Sequence, residues 1–392
     1  MSIARYSLAI MINESIDRST VTPNRKVLLV GPAVTTNNAF YGGGMGGFVR
    51  NMQVYLSEFR PAGYKVEPCF NSVRQQNSFF RLRMVWRFSR DLLNFVRLIE
   101  GVDVVHLLGQ YKTAFPREIG MALVCRILSI PLIYEVKAGQ FVAWYSNSGC
   151  VSRRLCGWMI RGCGAVLCEG QRDKEFIETH FQRPTIYFPN FVPDSEVPSS
   201  TPALFQNQEM RVVFIGYCYA GKGVFELVNA AAECLRSGMP LELTLAGQEH
   251  PDFTKYADAM VARHPDLKLT RLGLVGHDVA LTCLSESDVF CLASSHEGEG
   301  HSNVINEAMM MGRVIVSTRQ GFLGSILDPS VAYFVEPKSS ASLVSAFREI
   351  ELDRDVAREK ASAARRRLCD LYTSRQAFLV LETCYNRCLL SK

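Results

Sequence analysis

The sequence predicts an α/β protein of two Rossmann-like parallel-sheet domains that face each other across a cleft. Short apolar runs typical of buried strands, such as KVLLVG at 26–31, alternate with segments of helical periodicity. Such alternation favours βαβ units and a parallel sheet covered on both faces. It is interrupted at 191–209 by a segment rich in proline and serine and then restarts with VVFI at 212–215. With 392 residues, the chain is long enough for two such domains.

These patterns predict five segments along the chain. A polar, turn-rich extension is followed by an acceptor-side domain, a linker, a ligand-binding domain and a C-terminal helix that returns to the first domain. Their predicted bounds are 1–25, 26–190, 191–209, 210–372 and 373–392.

Composition narrows the class of protein. Hydrophobic residues make up 48% and charged residues 21%, so each domain can bury an ordinary core. The net charge of +5 is too small for a dedicated nucleic-acid binder, so we expect no nucleic-acid partner. The 13 cysteines show no metal-ligand spacing, which indicates reduced thiols in the cytoplasm. No apolar run is long enough to span a bilayer.

The most informative stretch is an acidic, glycine-containing loop between a strand and a helix. Glu297 and Glu299 lie in the loop, Ser302 or Asn303 can cap the helix, and Glu307 lies just over one turn into it. The helix N-terminus offers backbone donors and a positive dipole to an anion, while carboxylates accept from hydroxyls. We therefore expect a ligand that carries both phosphates and hydroxyls.

The loop after the 212–215 strand contributes a cation. Gly216 ends the strand, and Lys222 stands where the loop meets the next helix, a position suited to a diphosphate. In the first domain, YGGGMGGF at 41–48 includes Gly46 and Gly47 and allows a ligand to approach the backbone closely.

A family resemblance follows from these residues. EGHSNVINEAM, in which seven residues separate Glu299 from Glu307, resembles the E-x7-E signature of retaining glycosyltransferase family 4, which has the GT-B fold. Gly312, VIVST and Gly321 are similar to the run that follows this signature in the family. The resemblance implies that Glu299 contacts the donor sugar and that Glu307 holds the ribose hydroxyls. Glu297 is a rival for the first role.

The resemblance extends to the loop that carries the predicted cation. Lys222 matches the lysine of the family's diphosphate loop. Tyr217, however, stands where the family usually has an arginine, so one of two expected cations is missing.

Weaker similarities lie in the first domain. Gly46 and Gly47 resemble the family's GG loop beside the donor phosphates. His106, at the end of DVVH, matches a histidine that lies near the transferred sugar, which implies a catalytic role. Lys137 in PLIYEVKAG stands near another usual histidine.

The resemblance implies a hexosyltransferase-like enzyme with a nucleoside diphosphate sugar, UDP or GDP based, as co-substrate and no cofactor. No DxD-like cluster is placed to hold a metal, so we expect metal independence. The expected acceptor is a glycan or a polyprenyl-linked glycan of surface-polysaccharide assembly. A nucleotide-sugar 2-epimerase and a catalytically degenerate GT-B binding module are the alternatives.

The sequence of residues 79–99 predicts a helix, and its apolar face is wider than packing on one sheet requires. Arg83, Arg87 and Arg90 flank that face. Basic amphipathic helices of this kind lie in membrane interfaces, so we expect peripheral attachment to an anionic surface at the inner face of the plasma membrane. The alternative is an ordinary buried helix with a solvated basic stripe.

Overall fold

Two compact units make up the protein. The first contains Phe48–Pro189 with the first strand and the C-terminal helix, and the second contains Asn190–Thr373. Nearly all of the predicted extension at 1–25 lies outside the described residues, as do the side chains of 44–48 and 80–84. The computed structural model describes residues 25–32, 44–61, 63–71, 80–137, 139–239 and 241–390.

A six-stranded parallel sheet in the order β2-β1-β3-β4-β5-β6 forms the centre of the first unit. Alternate residues of its inner strands face opposite sides, and both sides are buried, as near-continuous apolar runs require. Its strands are β1 (Arg25–Pro32), β2 (Tyr64–Asn71), β3 (Val104–Gly109), β4 (Leu132–Val136), β5 (Ala165–Cys168) and β6 (Ile186–Tyr187).

Helices connect these strands. Because crossovers between parallel strands are right-handed, the helix from β1 to β2 lies on one face and the later connections lie on the other. The helices are α1 (Gly44–Glu58), α2 (Phe80–Leu98), α3 (Phe115–Ile127), α4 (Phe141–Ser146), α5 (Cys150–Gly162) and α6 (Gln171–Phe181).

Sequence periodicity does not predict β2. This strand is at the edge of the sheet, and of its eight residues only Cys69 and Asn71 are buried. Edge strands tolerate proline, here Pro68, and need no apolar run. An exposed edge therefore leaves little signal in the sequence.

The second unit also has a six-stranded parallel sheet, in the order β12-β11-β10-β7-β8-β9. The two sheets confirm the predicted α/β architecture. The strands are β7 (Met210–Ile215), β8 (Leu241–Ala246), β9 (Leu269–Gly273), β10 (Val289–Leu292), β11 (Val314–Ser317) and β12 (Tyr333–Phe334). The helices are α7 (Val224–Arg236), α8 (Pro251–Arg263), α9 (His277–Glu286), α10 (Asn303–Met310), α11 (Leu323–Ile326), α12 (Ser340–Leu352) and α13 (Arg354–Leu371).

The predicted linker, 191–209, packs on the second unit. It contains one short 3-10 helix, Asp194–Glu196, and is otherwise irregular. Arg313 donates from Nη2 to the carbonyl oxygen of Pro202 over 2.6 Å, and the ring of Phe205 is buried. Side-chain contacts therefore fix this segment although it lacks regular structure.

The C-terminal helix α14 (Ser374–Leu390) belongs to the first unit. Its Ser374 hydroxyl donates to Glu58 of α1 over 2.8 Å, and its Phe378 ring lies 4.6 Å from that of Phe59, which directly follows α1. Helices α1 and α14 thus share one face of the first sheet. Among the described helices, none is long and apolar enough to cross a bilayer.

Candidate functional site

The second sheet reverses its direction of winding at β7. Strands β8 and β9 lie on one side of β7, and β10, β11 and β12 lie on the other. In open parallel sheets, ligands bind at the carboxyl ends of the strands at such a switch point. The loop after β7 carries Lys222 and the loop after β10 carries Glu299, so these two predicted site residues follow the two strands at this point.

Lys222 and Glu299 form a direct ion pair. The Lys222 Nζ atom lies 2.6 Å from Oε1 and 2.7 Å from Oε2 of Glu299. Ser294 donates its hydroxyl to Oε2 of the same carboxylate over 2.8 Å. The Glu299 side chain is 6% exposed and that of Lys222 is 21% exposed, so a fixed carboxylate holds an accessible ammonium. An ammonium held in this way can bind phosphate as a point charge.

Two glycines allow these loops to meet. Gly223 has a φ of 75°, and a Cβ there would lie 2.1 Å from the carbonyl oxygen of Ala293. Gly321 has a φ of 57°, and a Cβ there would lie 2.1 Å from the carbonyl oxygen of Glu299. A side chain at Gly223 would push the β7 and β10 loops apart, and one at Gly321 would push apart the β10 loop and the loop after β11. The backbone of Glu299 is therefore fixed by its neighbours.

The two acids of the loop have different surroundings. Glu297 is exposed to solvent, whereas Glu299 is buried and holds Lys222. The structure therefore assigns the contact with the cation to Glu299 and leaves Glu297 at the surface.

Helix α10 begins beside this loop. Ser302 occupies its N-cap position, but the hydroxyl makes no capping hydrogen bond. The side-chain oxygen of Asn303, in the first turn, is buried and has no hydrogen-bond partner in the described structure. Glu307 follows one turn later and is 6% exposed. The positive end of α10 can serve an anionic ligand, whereas the Asn303 oxygen and the Glu307 carboxylate can accept hydrogen bonds from hydroxyl groups.

A buried polar cluster anchors the start of α10, and sequence analysis missed it. Asn190 donates from Nδ2 to the carbonyl oxygen of His301 over 2.7 Å, and Asn306 donates to the carbonyl oxygen of Asn190 over 2.9 Å. The Oδ1 atom of Asn306 lies 2.8 Å from Nε2 of His301. The available signal was a polar Asn306 among the apolar residues of a buried helix.

A cavity of about 560 Å³ lies at the carboxyl ends of β8 and β9. It is lined by Gln248, Glu249, Arg271 and the turn 272–274. Arg271 donates from Nε to Oε1 of Glu249 over 2.7 Å, and this hydrogen bond lowers the pKa of the Glu249 carboxyl. The N–H of Cys218 in the β7 loop donates to the carbonyl oxygen of Gln248 over 2.8 Å. The β7 loop that carries Lys222 therefore contacts a residue that lines this cavity. Sequence analysis missed the cavity because its residues follow separate strands.

Gly216 and Tyr217 lie in the same β7 loop. Gly216 has a φ of 147°, and its N–H donates to the carbonyl oxygen of Ala246 over 2.9 Å. The ring of Tyr217 lies 5.4 Å from that of Tyr219 and 6.4 Å from that of His250. The position at which the family usually has an arginine therefore belongs to an aromatic cluster.

The predicted first-domain residues form a separate cluster inside the first unit. His106 is fully buried, with Nδ1 at 2.9 Å from the Tyr385 hydroxyl and Nε2 at 3.1 Å from Oε2 of Glu135. Lys137 places Nζ 2.6 Å from Oε1 of Glu135, and Tyr55 donates to this carboxylate over 3.2 Å. Burial raises the pKa of Glu135, but the nearby Lys137 ammonium and the hydrogen bond from His106 lower it to about 2.

These contacts are ones that the resemblance does not describe. Both ring nitrogens of His106 contact protein groups, and Lys137 is 2% exposed. A contact between His106 and a transferred sugar stays a prediction. Gly46 and Gly47 lie in the first turn of α1, and their surroundings are outside the described part of the chain.

Comparison with known proteins connects this geometry with a family. Residues 209–353 match the family model described as "Glycosyl transferases group 1". Alpha-D-kanosaminyltransferase of Streptomyces kanamyceticus is 24% identical over 236 residues, which are 55% of this chain and 59% of that protein. The chain therefore spans less than two thirds of this curated relative.

Solved structures of similar fold cover nearly the whole chain. Sucrose-phosphate synthase from Thermosynechococcus elongatus has a TM-score of 0.67 at 16% identity, covering 94% of this chain and 100% of that one. Anabaena HepE in complex with UDP and glucose has a TM-score of 0.61 at 15% identity, with the same two coverages. The narrower assignment to family 4 and its E-x7-E motif stays a prediction. Residues 209–353 are therefore similar to the glycosyltransferase group 1 family, in a chain that has the GT-B fold.

Proposed function

We propose that the protein is a glycosyltransferase that moves a sugar from a nucleoside diphosphate to an acceptor with retention of the anomeric configuration. The observation that carries this proposal is the pairing of Lys222 with Glu299 at the switch point of the second sheet, beside the start of α10. A cation, a helix N-terminus and carboxylates together suit a ligand that carries phosphates and hydroxyls. The family match of residues 209–353 supports the same assignment.

The leaving group explains why a lysine is needed here. When the bond from the anomeric carbon to the phosphate oxygen breaks, negative charge develops on the departing diphosphate. Lys222 and the N–H groups at the start of α10 stabilise this charge electrostatically. A diphosphate that binds the Lys222 ammonium also frees an oxygen of Glu299 to accept a hydrogen bond from a sugar hydroxyl.

The remainder of the donor lies along the same edge of the sheet in this proposal. Glu307 accepts from the ribose hydroxyls, and the base occupies the cavity lined by Glu249 and Arg271 at the ends of β8 and β9. HepE is described in complex with UDP and with UDP-glucose, which supports a uridine nucleotide as the first ligand to test. A guanosine nucleotide is the alternative base.

Retention follows from attack on the same face of the sugar from which the diphosphate leaves, with the diphosphate accepting the acceptor's proton. In this proposal the enzyme uses no cofactor and needs no metal ion.

The acceptor is a glycan or a polyprenyl-linked glycan of surface-polysaccharide assembly. Arg83, Arg87 and Arg90 on α2 attach the enzyme to the inner face of the plasma membrane.

Two variants of the full chain test the donor site. Glu307→Ala should weaken UDP or GDP binding, measured as a smaller thermal shift, because it removes acceptors for the ribose. Glu299→Ala should bind nucleotide but lose turnover, because its sugar contacts strengthen in the transition state. If both variants transfer sugar at the wild-type rate, the proposed site is wrong.

Product analysis tests the reaction class. NMR coupling constants of the product should show the anomeric configuration of the donor, and transfer should survive excess EDTA. Conversion of the donor to an isomer without an acceptor would instead identify an epimerase. Absence of any donor turnover would identify a binding module.

A further inference from the structure

Three neighbouring helices of the first unit, α2, α3 and α5, present what we call the three-helix face. Helix α2 packs on α3 through the ion pair of Asp91 with Arg117, which has an N–O distance of 3.0 Å. Helix α3 packs on α5, where the guanidinium of Arg126 lies 5.3 Å from the Trp158 ring centroid. Since these helices lie on the same face of one parallel sheet, their outward sides form one continuous layer.

The three-helix face exposes apolar side chains on every helix. On α2, Trp86 is 63% exposed, and Leu93 and Val96 are also exposed. On α3, Ile127 is 71% exposed. On α5, Val151 is 65% exposed. Single exposed apolar residues are normal, but a set that continues over adjacent helices marks an interaction surface.

The spacing of these residues is regular on α3 and α5. Leu123 and Ile127 are four residues apart, as are Val151 and Leu155, and all four side chains are exposed. Residues four apart lie on the same side of a helix. Each helix therefore directs an apolar stripe outward in addition to the apolar side that it packs on the sheet.

The exposed charge on the three-helix face is positive. Arg90 and Arg97 are exposed on α2, Arg126 on α3, and Arg153, Arg154 and Arg161 on α5. Helix α5 contains no acidic residue. The acids of α2 and α3 are buried, because Asp91 binds Arg117 and Glu118 accepts from Tyr134. Asp91 also lies 3.7 Å from the exposed guanidinium of Arg90. Within the described parts of these helices, no acidic side chain forms an ion pair with the other outward arginines.

We propose that the three-helix face docks on an anionic phospholipid bilayer, with α3 and α5 contributing as much as α2. Arginines bind the headgroup phosphates while Trp86, Ile127 and Val151 enter the boundary with the acyl chains. The membrane attachment proposed above rests on α2, and this surface adds the outward sides of α3 and α5. Docking needs neither donor nor acceptor, so its failure and the failure of the proposed activity are separate results.

Vesicle co-sedimentation of the full chain tests the charge component. The wild type should bind vesicles of phosphatidylglycerol and phosphatidylcholine, bind phosphatidylcholine alone far less, and be released by salt. A triple variant, Arg126→Gln with Arg153→Gln and Arg154→Gln, leaves α2 intact. Its partitioning should fall about fivefold per arginine, on the order of 100-fold in total.

A second variant tests the apolar component. Ile127→Ser with Leu155→Ser should reduce binding at every salt concentration, because the loss is not electrostatic. The matched control is Val261→Ser with Arg263→Gln on α8 of the second unit, where both side chains are exposed. This control should bind vesicles as the wild type does. Thermal unfolding of each variant establishes that it is folded.

Four outcomes would overturn the proposal. The wild type could stay in the supernatant with anionic vesicles at low salt, or both folded variants on α3 and α5 could bind as the wild type does. The serine variant could bind vesicles as the wild type does, while the arginine variant binds heparin and vesicles more weakly to the same extent. That result would indicate a general polyanion site. Light scattering could show a dimer that the serine variant abolishes, which would make a second copy the occupant.

Discussion

Each unit contains a lysine–glutamate pair with the same contact distance, and the two pairs have opposite surroundings. Lys137 and Glu135 in the first unit meet at 2.6 Å with side chains 2% and 0% exposed. Lys222 and Glu299 in the second unit also meet at 2.6 Å, but with 21% and 6% exposed. Distance alone therefore does not identify a functional pair. Solvent reaches Lys222, so in the Lys222–Glu299 pair a ligand can replace one of the two partners.

The difference originates in the backbone that carries each pair. Glu135 lies within β4, where alternation directs it to the sheet face covered by α1 and α14, and Tyr55 and Tyr385 enclose it. Glu299 lies in a loop after β10, where Gly321 allows close backbone contact. Strand residues have their surroundings fixed by the core, while loop residues at strand ends remain open to ligands.

The largest effect should follow from breaking the buried pair. Glu135→Ala should lower the free energy of unfolding by about 3–5 kcal/mol, because it leaves the buried Lys137 ammonium without its partner. Urea unfolding, followed by a probe in the first unit, measures this loss.

Glu299→Ala is the control for this experiment, because its lysine is already accessible to water. The unfolding free energy of this variant should change by less than about 1 kcal/mol. Equal losses in the two variants would mean that burial does not separate the pairs.

The next largest effect should be a loss of catalysis when the Lys222–Glu299 pair of the second unit is broken. Lys222→Met should reduce donor turnover about 100- to 1000-fold, or about 3–4 kcal/mol, because it removes a charge that stabilises the leaving group. Initial rates of nucleotide release at saturating donor measure the change.

Lys268→Met is a matched control in the same sheet. Lys268 also contacts a carboxylate, with Nζ 2.6 Å from Oε1 of Glu209, but it precedes β9 and so lies at the amino edge of the sheet. Its turnover should equal that of the wild type. A comparable loss in both variants would contradict the placement of the donor at the carboxyl edge.

These pairs also indicate how far sequence can predict such a site. Glu299 and Lys222 are predictable, because each stands in a glycine-containing loop between a strand and a helix. Their mutual contact, and the role of Ser294, depend on which strands are neighbours, and strand order is not encoded locally. His106 illustrates the converse, since the sequence places it in a strand but does not show that Glu135 and Tyr385 contact both of its ring nitrogens.

The pH dependence of stability provides a third test of the comparison. The folded pKa of Glu135, about 2, is below its ordinary value of 4.5, so its ionisation stabilises the fold above pH 4.5 and the gain is lost as pH falls towards 2. The shift corresponds to about 3 kcal/mol. Wild type and Glu135→Gln should therefore show free energies of unfolding whose difference changes by this amount between pH 5 and pH 2. A constant difference would show that folding does not lower the pKa of Glu135.

The smallest expected effect concerns the missing cation beside Lys222. Tyr217 stands where the resembling family has arginine, and its ring contacts Tyr219 within the β7 loop. If a diphosphate binds Lys222, then Tyr217→Arg adds a second charge at a partly exposed position and should tighten UDP binding about fivefold, or about 1 kcal/mol. Isothermal titration with UDP and with uridine separates the contributions, since uridine lacks phosphates and its affinity should not change. Tyr217→Phe keeps the ring contact and should bind UDP as the wild type does. Weaker UDP binding by the arginine variant would show that the tyrosine ring itself contacts the nucleotide. The Lys222–Glu299 pair would then bind the donor together with an aromatic neighbour and not with a second cation.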